Sequence, residues 1–193
     1  DRKSLQAIFK EMEFSKLLKD FSLKPDHRED DYRLVTTRGE FGELVQNLEK
    51  AGAFALDLES TSIRPMRAEI VGLSFSFQSH QAFYVPVGHN YDGAPGQLSR
   101  EEVLQTLRPL LEDPAVKKYG QNIKYDYILL ANSGVRLRGI AGDTMIASYL
   151  LNPSRHRHSL EELAREHLDR QIITYSDVAG SGAKQVSFSQ VEV

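Results

Sequence analysis

The sequence predicts an α/β domain, a mixed sheet with an antiparallel three-strand meander flanked by helices. Three observations carry this expectation. Strand-like runs at 53–59, 70–77 and 82–87 follow in quick succession, and gaps that short favour antiparallel neighbours. Beyond them helix and strand signals alternate, the pattern of a sheet covered by helices. At 193 residues, 40% hydrophobic and 26% charged, the chain is long enough to bury a core.

Leu5, Ile8, Phe9, Met12, Leu17 and Leu18 recur at helical spacing. Residues 4–21 therefore read as a helix capped by Ser4, its apolar stripe a packing surface, within an N-terminal helical segment 1–23. The polar run Lys24-Pro25-Asp26-His27-Arg28-Glu29-Asp30-Asp31 reads as a linker over 24–31. The main body, 32–193, opens with a strand at 32–37 and a helix at 40–51, ahead of the meander. After the Gly/Pro-rich loop 91–97, Ser99 and Glu102 make a capping-box pattern for a helix through Leu111. A short strand at 116–120 leads into a helix at 122–132, stopped by Ser133-Gly134. Asp143 reads as the cap of a helix through Leu151, and Ser159 with Glu162 repeats the capping box for a helix through Leu168. The tail from Ile172 carries Ala179-Gly180-Ser181-Gly182, which reads as flexible.

The net charge of −3 argues against a broad basic surface that grips duplex, but not against holding a few nucleotides through metal ions. The absence of cysteine excludes disulfides and thiolate zinc sites. No apolar run approaches a membrane span and the N-terminus lacks a signal-like core, so a cytoplasmic protein with no membrane partner is expected.

The most informative stretch is Phe54-Ala55-Leu56-Asp57-Leu58-Glu59. Strand alternation puts Phe54, Leu56 and Leu58 on one face and Asp57 and Glu59 on the other. Two carboxylates side by side repel and lose hydration unless a cation holds them, and hard oxygen ligands suit Mg²⁺ or Mn²⁺. A second acidic candidate lies in Gly120-Gln121-Asn122-Ile123-Lys124-Tyr125-Asp126. Asn122 and Asp126 share a helix face, and a helix starting directly after a strand brings its first turn to the end of the sheet, within reach of Asp57 and Glu59. Asn122 suits an N-cap or a substrate contact. Asp143 suits a cap first and a site residue second, and His156-Arg157-His158 suits a solvated or phosphate-facing loop better than a metal site.

These stretches resemble the 3′–5′ proofreading exonuclease domain of bacterial DNA polymerase I, a ribonuclease-H-like member of the DEDD exonucleases. The likeness rests on residues 54–62 (FALDLESTS), 120–126 (GQNIKYD), 133–150 (SGVRLRGIAGDTMIASYL), 173–182 and Phe188-Ser189-Gln190. Residues 4–18 resemble the segment that joins this domain to a preceding 5′-nuclease region. The resemblance implies that Asp57, Glu59 and Asp126 bind two divalent cations, Mg²⁺ or Mn²⁺ with Zn²⁺ a third candidate, around a scissile phosphate. It implies that Asn122 supports the terminal nucleotide, that Ile63 and Tyr175 form an apolar wedge against the last bases, and that Arg155 or Arg157, preferentially Arg157, holds a phosphate. The implied partners are a single-stranded DNA 3′ end and a polymerase domain C-terminal to these residues.

The family also needs a third motif, Tyr-x-x-x-Asp, which supplies a fourth carboxylate and a water-orienting tyrosine. No such pattern occurs in the chain, and its expected place is about two helical turns past Val193. The domain is therefore expected to be C-terminally incomplete here, with activity reduced or absent. Two other functions fit the same residues: a ribonuclease-D-like RNA exonuclease, and a non-catalytic module that binds single-stranded DNA or scaffolds a polymerase.

Overall fold

A computed structural model describes residues 2–12, 14 and 30–193. Helix α1, Arg2–Glu11, begins before Ser4, which lies in its first turn rather than at its cap. Leu5, Ile8 and Met12 of the stripe expected to pack are exposed. Leu17, Leu18 and most of the expected linker fall outside the described residues. The end of that linker belongs to the body: strand β1 is Asp31–Leu34, the Asp31 amide donates to the His80 carbonyl, and Asp30 pairs with Arg170 and His80.

Helix α2, Arg38–Ala51, starts on a full capping box between Thr37 and Glu40 and ends at Gly52, whose φ of 64° suits glycine. The meander follows as β2 (Ala53–Ser60), β3 (Ile70–Gln78) and β4 (Gln81–Pro86). Then come α3 (Arg100–Glu112), β5 (Lys117–Gly120), α4 (Ile123–Asn132), β6 (Ile140–Asp143) and α5 (Thr144–Leu151). Helices α6 (Leu160–Leu168) and α7 (Tyr175–Ala179) complete the chain with 3₁₀ turns at Gly182–Lys184 and Phe188–Gln190. The six strands run in the order β1-β4-β3-β2-β5-β6. The meander pairs are antiparallel, as expected, and β1–β4, β2–β5 and β5–β6 are parallel.

Three local expectations need correction. Ser99 makes no side-chain cap bond, and the Glu102 carboxylate, which would return the capping box, is in an ion pair with Arg38 of α2. Strand β6 was not legible, since four residues with two exposed at the sheet edge carry no alternation. Helix α7 was also missed; Thr174 and Asp177 cap it reciprocally, a short-range signal without an apolar stripe behind it. In the stretch expected to be flexible, the chain turns at Gly182–Lys184 and the Val186 amide donates to the Ala179 carbonyl.

Register divides the sheet into two chemically opposite faces. Leu56, Phe75 and Phe83 stand in one row and Leu58, Leu73 and Val85 in the next, all buried against α2, α3 and α4. On the other face Asp57, Ser74, Tyr84 and Leu34 form one row, and Glu59, Gly72 and Pro86 the next. A one-residue slip would exchange the faces and bury both acids, so the apolar rows also specify where the acids point. Among the described residues no helix is long and apolar enough to cross a membrane.

Two polar groups brace the β5 side. Lys118 is fully buried on the apolar face and donates to the Asp113 carbonyl at 2.8 Å, just past the end of α3. Asp143, at the end of β6, accepts four backbone amides. Asn122 and Ile123 donate at 3.1 and 2.9 Å, and Met145 and Ile146 at 2.8 and 3.3 Å. One carboxylate thus satisfies the otherwise orphaned starts of both α4 and α5 and holds them together.

Asp143→Ala should destabilise the domain by about 2–3 kcal/mol in urea denaturation, because it leaves two helix starts uncapped, with Asp143→Asn costing less. A loss below the error of the measurement would show that water replaces the carboxylate. Burial lowers the Lys118 pKa from 10.5 to about 8, so between those values the unfolded chain binds more protons than the folded one. Stability relative to Lys118→Met should therefore rise as pH increases from 8 to 10.5. A flat difference across that window would show that the buried ammonium is not penalised.

Candidate active site

The acids are brought together because β5 leaves β2 early. The two strands pair only through Ala53–Lys117, Phe54–Lys118 and Ala55–Tyr119, after which the chain turns at Gly120 to Asn122 and enters α4. Asn122 adopts φ 55° and ψ 40°, a left-handed conformation that asparagine tolerates better than most residues. Past Ala55 the β5-side edge of β2 has lost its partner, and the Leu58 amide needs an acceptor. Asp126, one turn into α4, supplies it: its Oδ1 accepts from Leu58 N at 3.1 Å. That bond carries the Asp126 carboxylate across to the strand position between Asp57 and Glu59.

The three carboxylates share one field. Asp57 is accessible from the open face, yet the protein on either side of it raises its pKa by desolvation. Glu59 is pushed up to about 7, by burial first and then by the Asp57 charge. Asp126, only 2% exposed, is pushed up to about 8 by burial and the Asp57 charge, against the opposing pull of the Leu58 amide. Among the described residues none of the three forms an ion pair. Burial raises the pKa of all three, the Asp57 charge adds to the shift at Glu59 and Asp126, and carboxylate oxygens fit a hard divalent cation by donor chemistry. As they stand, no three His, Asp or Glu side chains among the described residues converge as an ion would require.

The other predicted residues lie around this cluster in different settings. Ile63 is 91% exposed on the loop after β2. That loop is clamped to α4: Tyr125 Oη lies 2.5 Å from Ser60 Oγ and donates to the Ser62 carbonyl, and Asn132 Nδ2 donates to the Pro65 carbonyl at 2.9 Å. Asn122 makes no side-chain cap bond, Asp143 having taken that function. Arg155 is engaged by Glu166, whereas Arg157 is exposed. The loop bearing them reaches the start of α4, since Gln121 Nε2 donates to the His158 carbonyl at 2.7 Å. His158 itself faces Ser148 Oγ at 2.8 Å. Tyr175 opens α7, its ring 6.0 Å from that of Phe188. Sequence reasoning missed the clamps by Tyr125 and Asn132 and the second half of the Asp143 cap. A cap signal in sequence shows only the helix it begins, and nothing local marks a partner 20 residues away.

The 3′–5′ exonuclease family matches residues 32–191. DNA polymerase I of Pseudomonas aeruginosa is 40% identical over 206 residues, covering 100% of this chain and 23% of that protein. The chain thus spans less than a quarter of the relative's length. Among solved structures, Brucella melitensis NrnC with bound Mg²⁺ superposes with a TM-score of 0.55 at 21% identity, over 75% of this chain and 64% of that one. RNase D of Trypanosoma brucei gives 0.58 at 17% identity, over 76% and 50%. Likenesses this distant establish the fold, a ribonuclease-H-like sheet. The match over residues 32–191 goes further: the chain belongs to the 3′–5′ exonuclease domain family of DNA polymerase I.

Proposed function

We propose that this domain hydrolyses the terminal phosphodiester of single-stranded or frayed DNA 3′ ends, as a proofreading nuclease for a polymerase in the same polypeptide. The observation that supports this reading best is that Asp57 and Glu59 share the open face of β2 while Asp126 of α4 is bonded to the Leu58 amide between them. In the reaction a water oxygen attacks the phosphorus in line, the P–O3′ bond breaks, the 3′-oxygen takes a proton, and a nucleoside 5′-monophosphate leaves. Asp57, Glu59 and Asp126 are the residues that would hold two divalent cations, Mg²⁺, Mn²⁺ or Zn²⁺. Such ions supply charge stabilisation to the attacking and leaving oxygens. The Leu58 amide keeps one oxygen of Asp126 oriented. Ile63 and Tyr175 would offer apolar surface to unpaired bases, a contact that does not depend on base identity, and Asn122 and Arg157 would hold the terminal sugar-phosphate. A Tyr-x-x-x-Asp motif beyond these residues would complete the set.

The reading is tested with a 5′-labelled single strand and Mg²⁺ or Mn²⁺, using this chain and the same chain extended through such a motif. The extended form should shorten DNA from its 3′ end, and Asp57→Ala should slow it by ~10²–10³-fold, the scale of losing one charge-stabilising group. Retained activity in Asp57→Ala sinks the assignment of the acids. A faster cut of the matched RNA overturns the choice of DNA and favours a ribonuclease-D-like role. Calorimetric titration should find saturable Mn²⁺ binding that Asp126→Ala abolishes; its absence from a folded, extended domain favours the scaffold reading. Tyr175→Ala should weaken binding of the 3′ end by ~1–3 kcal/mol.

A further inference from the structure

Beside Glu59 the sheet surface belongs to a residue from another strand. Gly72 is the register partner of Glu59, and a Cβ on Gly72 would lie 2.0 Å from the Tyr84 hydroxyl. The Tyr84 ring therefore crosses Gly72 and forms the wall of the acid cleft at Glu59. Burial, and then the Glu59 charge, hold its phenol well above the usual tyrosine range.

The hydroxyl is committed away from the acids. His89 is buried, and its Nδ1 lies 2.9 Å from the Val191 carbonyl, which can only accept. Nδ1 thus carries the proton, and Nε2, 2.6 Å from Tyr84 Oη, accepts the phenolic hydrogen. The His89 backbone is fixed in turn by Gln97, which accepts from its amide and donates to its carbonyl, both at 2.8 Å. Around the imidazole lie the rings of Tyr91 and Phe188, at 6.1 and 6.0 Å, and Phe188 continues to Tyr175 at 6.0 Å. The Asn90 amide donates to the Ser189 carbonyl at 2.8 Å. One line of contacts runs from the Glu59 wall through Tyr84, His89 and Phe188 to the exposed Tyr175.

We propose that Tyr84 and His89 are positioning residues that tie the C-terminal segment, and with it Tyr175, to the wall of the acid cleft. The terminal base and its phosphodiester are then presented together. This rests on the exonuclease reading above, and it concerns the register between two parts of the site rather than the chemistry of either.

The experiment compares two substrates in whichever form of the domain cuts DNA. One is a single-stranded oligonucleotide. The other is the p-nitrophenyl ester of thymidine 5′-monophosphate, which has the scissile bond but no preceding nucleotides. His89→Leu should raise KM for the oligonucleotide by ~10-fold, while it cuts the ester within about twofold of the parent rate; Tyr84→Phe should raise the oligonucleotide KM likewise. Adding Tyr175→Ala to His89→Leu should cost no more than Tyr175→Ala alone, the signature of a shared element. His89→Gln, with one donor and one acceptor in its amide, should restore most of the oligonucleotide KM. Equal losses on both substrates, or additive effects with Tyr175→Ala, overturn the proposal. Hydrogen exchange separates its failure from that of the exonuclease reading. In His89→Leu the Asn90 and Val191 amides should exchange faster while those of α2 do not. If the parent cuts neither substrate, the exonuclease reading fails, and unchanged exchange at Asn90 and Val191 removes the tie as well.

Discussion

At Leu58 strand β2 has lost its β5 neighbour, and the Asp126 carboxylate takes the amide that β5 no longer covers. Much of the candidate site depends on that substitution of a side chain for a strand. It docks the first turn of α4 on the open end of β2, and it brings a third acid to two that the strand already carries. A buried carboxylate is costly without partners, and this one is tolerated because it satisfies a backbone donor that would otherwise be orphaned. Asp143 performs a related service one strand further on, where a single carboxylate caps both α4 and α5. Two acids, neither in the meander, thus set the direction and position of the helix that faces it.

The electrostatics of the cleft oppose its own compactness. Asp57 raises the pKa of both Glu59 and Asp126, and among the described residues no basic side chain pairs with any of the three. A structural ion-pair network would place arginine or lysine here. Such groups occur elsewhere in the molecule, as in Arg38–Glu102 and Arg100–Glu69, at exposed positions where they contribute little to stability. The contrast separates charge used to decorate a surface from charge held in a cleft. The latter is the condition under which perturbed carboxylates point to chemistry.

The surroundings of the acids are assembled from parts that contribute no acid. Tyr125 and Asn132 hold the loop that displays Ile63, and His89 joins the tail to the sheet beside Glu59. These groups share a design: a side chain donates to a backbone carbonyl of another segment, at Ser62, Pro65 and Val191. Exposed side chains such as Ile63 can then be held in place without being buried. The two faces of the sheet divide the labour, with Leu56, Phe75 and Phe83 supplying stability behind the strands and Asp57, Tyr84 and Glu59 supplying polarity in front.

The meander, the acid pair on β2 and the helix carrying Asp126 were legible in the chain because each is written in short-range pattern. Alternation through 54–59 determines which face the acids share, and the four-residue spacing of Asn122 and Asp126 determines a common helix face. Residues 54–62 and 120–126 together also point to the family. Only the tertiary structure decided how those pieces meet. That the Glu102 carboxylate would pair with Arg38, that β6 would form at the edge, and that α7 would be capped by Asp177 depend on contacts or small local energies that periodicity does not register. The docking of Asp126 on Leu58, the double cap by Asp143 and the path from Tyr84 through His89 to Val191 join residues 68, 21 and 102 positions apart. A sequence records which side chains are available for such bonds. The fold selects the partners, because a hydrogen bond requires two groups within about 3 Å of each other.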